Sequence, residues 1–228
     1  MPLPPRGPTL SSRVRGPFAV FASPAFKVER VTMPVITPSA ARGLLEAVLW
    51  KPAIRWKIER IKVLSPIQFT SFRRNEVNSR AVAPPLAVIR SGGVAPVLYA
   101  DEDRAQRNTV ALRDVDYVID AHFAMTDRAG PEDNILKFVD MFRRRVERGQ
   151  HFHQPYLGCR EFVADVLPAA DAPEPVNDSR DLGWMLWDIE YRPEGNRPLF
   201  FQARLENGVL EVPPDPPDRG APLNGGDV

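Results

Sequence analysis

Residues 26–52 read FKVERVTMPVITPSAARGLLEAVLWKP. A basic, extended approach carrying Lys27 and Arg30 runs into a capped helix, which then stops. Thr37 supplies the side-chain oxygen an N-cap needs, and Pro38 suits the first helical position, where its missing N–H costs nothing. Ala40, Leu44, Ala47 and Val48 recur at helical spacing. Arg42 and Glu46 form an i,i+4 pair on another face. Side-chain volume grows from Ala40-Ala41 toward Trp50, so the front of the helix can approach a neighbour closely. Pro52 ends the run. Trp50 and Trp56 read as core residues.

Working outward, Val14 to Phe21 is a β-prone run kinked at Gly16-Pro17, and residues 27–35 form a basic linker. Beyond the helix, Ile54, Trp56 and Ile58 alternate, as do Ile61 and Val63, with a phase slip between them that predicts a bulge. Ile67 and Phe69 start a second strand. Arg73 and Arg74 follow it and are expected to project from a sheet end. Residues 78–108, with Pro84-Pro85 and Gly92-Gly93, read as a long mobile insertion. Val115, Tyr117, Ile119, Ala121 and Phe123 give the cleanest alternation in the chain. Gly130-Pro131-Glu132-Asp133 opens a second helix with acids in its first turn. Ile135, Phe138, Val139, Phe142 and Val146 form its apolar stripe, and Gly149 ends it. Another strand or two fall within residues 152–166. Runs 184–191, 199–205 and 209–212 form a meander, its last turn marked by Asn207-Gly208.

The order is strand–helix–strand–strand–helix–strand, followed by a meander. This predicts an α+β fold: a ferredoxin-like or RRM-like βαββαβ core with an inserted long loop and a small C-terminal antiparallel β-sheet. The expected divisions are a disordered proline-rich stretch at 1–13, a core domain at 14–165 containing the mobile insertion 78–108, a β meander at 166–212, and a disordered proline-rich tail at 213–228.

Of the 228 residues, 25 are proline, many of them near the two ends. The net charge of +1 hides a polarity. Residues 1–113 hold 18 Lys and Arg against 7 Asp and Glu; residues 114–228 hold 12 against 22. A half this basic can draw in RNA phosphates by counterion release. Alternatively, the two halves fold against each other as a dipolar globule. The lone Cys159 suits a reducing compartment. With no secretory h-region and no apolar run near the roughly 20 residues a membrane helix needs, a soluble cytoplasmic protein with no membrane partner is expected.

Neither a Walker loop, nor GxGxxG, nor GxSxG occurs. His151-x-His153 on a strand would place two rings on one face, but no Cys pair or HExxH accompanies them, so neither a metal site nor a cofactor is expected. Cys159 reads as a structural thiol. RNA can be cut without metal: the 2′-OH attacks the adjacent phosphate and leaves a cyclic phosphate. That reaction needs a base, a cation for the charge growing on phosphorus, and an acid for the leaving oxygen. Lys27, Arg30, Arg73, Arg74, Lys137, His151, His153 and Tyr156 are the candidate groups.

Three segments carry a family likeness: 26–56, 66–77 (PIQFTSFRRNEV) and 138–162 (FVDMFRRRVERGQHFHQPYLGCREF). The chain resembles the type I-C CRISPR-associated RAMP-superfamily subunit over most of residues 14–212. The resemblance implies binding to CRISPR repeat RNA, metal-independent cleavage of precursor CRISPR RNA at the base of the repeat hairpin, and retention on the 5′ handle. The implied partners are the crRNA, the backbone and large subunits of a Cascade complex, and target DNA indirectly through that complex. In characterised relatives a tyrosine often precedes Trp-Lys-Pro, where this chain has Leu49. A Lys-His pair often opens the second helix, where this chain has Lys137-Phe138. Lys137, His153 and Tyr156 are therefore the catalytic candidates. Lys27, Arg30, Arg42, Arg73, Arg74, Arg144, Arg145 and His151 are the RNA-binding ones. Three readings stay open: another base replaces the missing types, Lys137 works alone and slowly, or the protein is an inactive structural subunit that only holds the 5′ handle.

Overall fold

The computed structural model describes residues 6–23, 26, 29–94 and 97–215. Lys27 and the outer parts of both proline-rich ends lie outside these residues. The elements are β1 (Leu10–Ala19), β2 (Arg30–Val31), α1 (Pro38–Val48), β3 (Ile54–Val63), β4 (Phe69–Val77), α2 (Leu86–Arg90), β5 (Arg104–Met125), α3 (Ile135–Glu147), β6 (Asp165–Pro168), β7 (Arg180–Glu190), β8 (Arg197–Glu206) and β9 (Val209–Glu211). All nine strands belong to one sheet, ordered β6-β1-β5-β3-β9-β8-β7, with β2 and β4 also paired to β5. The class is mixed α/β, dominated by antiparallel pairing; among the described strands β2 alone runs parallel to its neighbour.

One face of this sheet carries the core. The inward residues of the central strands, among them Val14, Ile61, Ile119 and Phe123, are buried under α1 and α3. α1 contributes Leu44, Leu45 and Val48. α3 contributes Phe138, Val139, Phe142 and Val146, as its apolar stripe dictates. Trp56 sits at the centre, its ring centroid 5.2 Å from Phe123 and 4.8 Å from Phe142. Its indole N–H donates to the Leu49 carbonyl at 2.9 Å, so the one polar atom of a buried ring is satisfied. The opposite face is ionic. Asp120, almost fully buried, accepts from Ser11 at 2.6 Å and pairs with Arg60 at 3.2 Å and Lys62 at 3.0 Å.

Several local expectations hold. The Thr37 side chain accepts from the Ala40 N–H, with Pro38 opening the helix. Arg42 and Glu46 pair at 2.8 Å. The β3 phase slip is a register shift between Ile58 and Arg60. Asn207 and Gly208 both take positive φ in the β8–β9 turn.

Others need correcting. β1 begins at Leu10, inside the stretch expected to be disordered, because Leu10, Ser12 and Val14 all point into the core. Arg73 and Arg74 do not leave a sheet end. They lie within β4, which zips against Leu112 to Arg104 of an unusually long β5, a strand of 22 residues. The 78–108 insertion is therefore the far end of a β ribbon, with α2 inside it. α3 starts at Ile135 with Asn134 as its cap and has no acid in its first turn; Asp133 lies one residue outside. Residues 152–164 form no strand, only an isolated Tyr156–Val163 bridge, so His151 and His153 do not share a strand face. β6 straddles the expected 165/166 boundary and pairs with β1. The C-terminal meander is not a separate sheet, since β9 joins it to β3. Trp50 is not core: it is 54% exposed. No described helix is long and apolar enough to cross a membrane.

Candidate functional site

The end of α1 is the node on which the candidate groups depend. A helix C-terminus leaves carbonyls without intrahelical partners, and here each of the last ones meets a different part of the chain. The Ala47 carbonyl accepts from the backbone N–H groups of Phe152 at 2.8 Å and His153 at 3.1 Å. The Val48 carbonyl accepts from Arg145 Nη1 at 2.5 Å. The Leu49 carbonyl accepts from Trp56. The histidine loop and the last turn of α3 are thereby fixed beside the exposed Trp50-Lys51.

Lys137 lies near the other end of α3. The Asn134 cap accepts from its backbone N–H at 2.9 Å, and its ammonium pairs with Asp133 at 3.2 Å. The Asp133 carboxyl is held below its usual range, first by the Gly130 N–H and then by Lys137, with Lys51 adding its charge. Lys51 thus reaches the Lys137 end while Ala47 and Val48 hold the His153 end. From Lys137 to the end of α3 is about 15 Å of helix axis. No hydrogen bond or ion pair joins Lys137 to His151, His153 or Tyr156 among the described residues. His153 packs edge-on against Phe152, with centroids 4.4 Å apart. His151 lines a cavity of about 310 Å³ with Arg145 and Gln154.

Leu49 and Phe138 are core residues. Leu49 is 0% exposed and Phe138 is 2% exposed, with Phe138 edge-on to Phe123 at 6.3 Å. Both positions bury apolar surface beside the site and offer no proton.

Tyr156 belongs to a loop with a structural task. Leu157 is fully buried and its carbonyl accepts from the Val20 N–H at 3.1 Å. Gly158, at φ +83°, passes so close to β1 that a Cβ would lie 1.8 Å from the Val20 carbonyl oxygen. Only glycine fits there. The loop delivers Glu161 to the arginines: it bonds Arg74 directly and pairs with Arg30 at 3.5 Å. Arg30 also pairs with Glu76 at 3.1 Å. Arg74 stacks over Phe72 and Phe162, 5.0 and 5.3 Å from their centroids. Burial first, then Glu161, pushes the Cys159 thiol up, which argues against a thiolate nucleophile.

The RNA-binding candidates therefore separate. Arg30 and Arg74 are tied to carboxylates on one face of the β4–β5 ribbon. Arg73 alternates to the other face and is exposed. Arg42 is held by Glu46 and, at 2.7 Å, by Asp188 of β7. Arg144 is exposed on α3, and Arg145 caps α1. Among the described residues, the candidate cations are held by different elements: Arg30 and Arg74 by Glu161, Arg42 by Asp188, and Arg145 by the α1 terminus. Lys51 was not singled out in the sequence, where its only mark is the Trp-Lys-Pro that ends the helix. No group of three or more metal-ligating side chains forms among the described residues.

A sheet with helices on one face, a lysine-bearing helix and a clamped histidine loop together define a mixed α/β protein dominated by antiparallel pairing. The family model described as CRISPR-associated protein (Cas_Cas5), of the Cas5d type, matches residues 9–213, and the chain belongs to this family. It is 46% identical over 219 residues to the CRISPR pre-crRNA endoribonuclease Cas5d of Mannheimia succiniciproducens, covering 90% of this chain and 96% of that protein. It is 38% identical over 222 residues to the protein of the same name from Thermus thermophilus, covering 90% and 91%. Among solved structures, a CRISPR-associated protein superposes with a TM-score of 0.67 at 21% identity, over 92% of this chain and 94% of that one. A chain of a CRISPR RNA-guided surveillance complex superposes at 0.51 and 16%, over 90% and 91%. These last two likenesses speak for the fold.

Proposed function

We propose that the protein is a CRISPR pre-crRNA endoribonuclease that cuts repeat RNA without metal, leaves a cyclic phosphate, and stays on the 5′ handle within a type I-C Cascade complex. The observation that carries this reading is the 46% identity over 219 residues to a relative named for that activity. A ferredoxin-like core is part of the proposal. The sheet order β6-β1-β5-β3 supports it, being fourth, first, third and second in a βαββαβ count that omits the two-residue β2 and β4.

Within this reading Lys137 stabilises the charge that grows on the scissile phosphate, and Asp133 and Lys51 set its field. His153, held at the α1 terminus, takes the 2′-hydroxyl proton, and Tyr156 serves the leaving oxygen. Arg73, Arg144 and His151 meet the RNA backbone. These roles are supported by exposure and by the fixed backbone of the histidine loop. The paired state of Arg30, Arg42 and Arg74 assigns them a smaller share than their number suggests. Base and cation must reach one phosphodiester, so this assignment requires the His153 and Lys137 side chains to converge from the two ends of α3 when RNA binds.

The test is direct. Purified protein is incubated with its own repeat RNA in EDTA. One cut below the hairpin, with a cyclic phosphate end, is expected. Lys137→Ala should lower the single-turnover rate by about 10²–10³, the cost of removing one group aimed at developing charge, with the Tm unchanged. Tight binding without any cut would leave only handle binding, and a Lys137→Ala protein that cuts normally would remove the site assignment.

A further inference from the structure

The sheet splits where β9 ends. Along β3, β9 covers only Arg60 to Lys62. The Ile54–Ile58 half of β3 therefore has β5 on one side and, on the other, a cleft bounded by the far ends of β7 and β8. The cleft holds about 370 Å³, and its walls include Arg55, Lys57, Trp187 and Arg197. That is the size of an ordinary small-ligand pocket. It lies at the N-terminal end of α1, beside Pro38 and Arg42. The Lys51 and His153 groups lie at the other end of that helix, about 16 Å along its axis.

The cations in these walls are of two kinds. Arg42 is neutralised by Glu46 and Asp188, and Arg192 by Glu190 at 2.7 Å. Arg55, Lys57 and Arg197 form no ion pair among the described residues, although all three line the cleft. Lys57 is the most informative. It is half-buried, with its ammonium 5.5 Å from the centroid of the Trp187 ring. Burial first, then the charge of Arg55, lowers its pKa. The charges of Asp215 and Asp188 act the other way but do not outweigh burial and Arg55, so a further anion in the cleft would favour the charged lysine. Trp187 is held in place, since its Nε1 donates to the Pro213 carbonyl at 3.0 Å. A pinned aromatic face beside unpaired cations is the pattern that holds single-stranded nucleic acid, by stacking and phosphate contact together. An acidic peptide would use the charges and leave the ring idle.

We propose that this cleft seats one nucleotide of single-stranded RNA, with its phosphate among Lys57, Arg55 and Arg197 and its base against Trp187. The inference rests on the RNA-binding reading above, and its test separates the two. The probe is fluorescein-labelled repeat RNA, with a 4-thiouridine form for crosslinking, on the full-length chain over a salt series. Lys57→Met keeps the packed stem and removes the charge; Arg197→Ala removes an exposed charge at a strand end and does not depend on core packing. Each should reduce the salt slope of binding by about one. Trp187→Ala should weaken binding about tenfold with the slope intact, and the crosslink should map to the peptide containing Trp187. Wild-type binding with crosslinks elsewhere and unchanged slopes in both charge variants would overturn the cleft assignment and leave the RNA reading standing. A wild-type chain that fails to bind repeat RNA at any salt would overturn both. Variants that bind RNA normally but lose a poly-glutamate peptide would make the cleft a protein-docking site and overturn the proposal.

Discussion

Two groups of positive side chains in this molecule have opposite situations. Around Glu161, the arginines Arg30 and Arg74 are bound by carboxylates, and Arg74 also lies against two aromatic rings. In the cleft beside β3, Arg55, Lys57 and Arg197 line the walls and form no ion pair among the described residues. Both groups come mainly from the basic half, yet only the second offers charge to a ligand. The same division recurs elsewhere. Arg13 pairs with Asp116 at 2.6 Å, Arg42 with Asp188, and Arg60 and Lys62 with Asp120, each joining the basic half to the acidic half. The dipolar-globule reading is thus true of the paired residues, and the unpaired ones are those the RNA-binding proposal calls on. Charge counted along a chain measures supply; what remains for a partner is the part the fold has not already neutralised.

The sharpest way to break the paired group is through the loop that builds it. Gly158→Ala places a methyl against the Val20 carbonyl at a positive φ. The loop must move, and with it Leu157 and Glu161. A stability loss of about 3–4 kcal/mol is expected from strain and lost packing together, read as a fall in the denaturation midpoint. A variant as stable as the parent would mean that this loop does not fix the arginine cluster. A milder break is Glu161→Gln, which keeps the shape and removes the charge. Because Glu161 is well exposed, screening limits the loss to about 1 kcal/mol. Salt should narrow the gap between variant and parent, whereas a gap unchanged in high salt would contradict an electrostatic tie.

Much of this fold was readable from local rules. The Thr37-Pro38 cap, the β3 bulge and the Asn207-Gly208 turn are each set by residues adjacent in sequence, and each formed where expected. The failures share a cause. Arg73 and Arg74 read as the end of a strand because the Ile67 and Phe69 run gives way there to Arg-Arg-Asn-Glu. Their strand is held instead by a distant partner, residues 104–112 of β5. Trp50 reads as core because tryptophan usually is, but α1 ends two residues earlier and turns it outward. Of the residues proposed to meet RNA, Lys137 could be picked out from its place in a motif. Lys57, Arg55 and Trp187 could not, because their meeting depends on where β9 stops. The pairing of Arg42 with Asp188, 146 residues apart, is equally invisible to periodicity.

The smallest expected effect tests whether cross-half pairing adds stability on the ionic face. Glu59 accepts from Thr9 at 2.9 Å and is bonded by Arg6 and His122. Burial works to raise Glu59, but the bonds from Thr9 and His122 and the Arg6 charge outweigh it, and its pKa falls. His122 is also lowered, by burial first and by the charges of Arg6 and Lys57, against the pull of Glu59. Both folded-state values lie below the unfolded ones, so the folded chain binds fewer protons and acid favours unfolding. The His122 contribution is present above about pH 6.5 and fades as pH falls through its lowered value. The Glu59 contribution is present above about pH 4.3 and fades below it. Melting temperature should therefore decline in two stages on acidification. His122→Gln, which can still donate to Glu59, should flatten the upper stage and spare the lower. A variant whose melting curve tracks the parent's across the whole range would show that the histidine contributes nothing, and that the stability of this face lies with its arginine and lysine pairs.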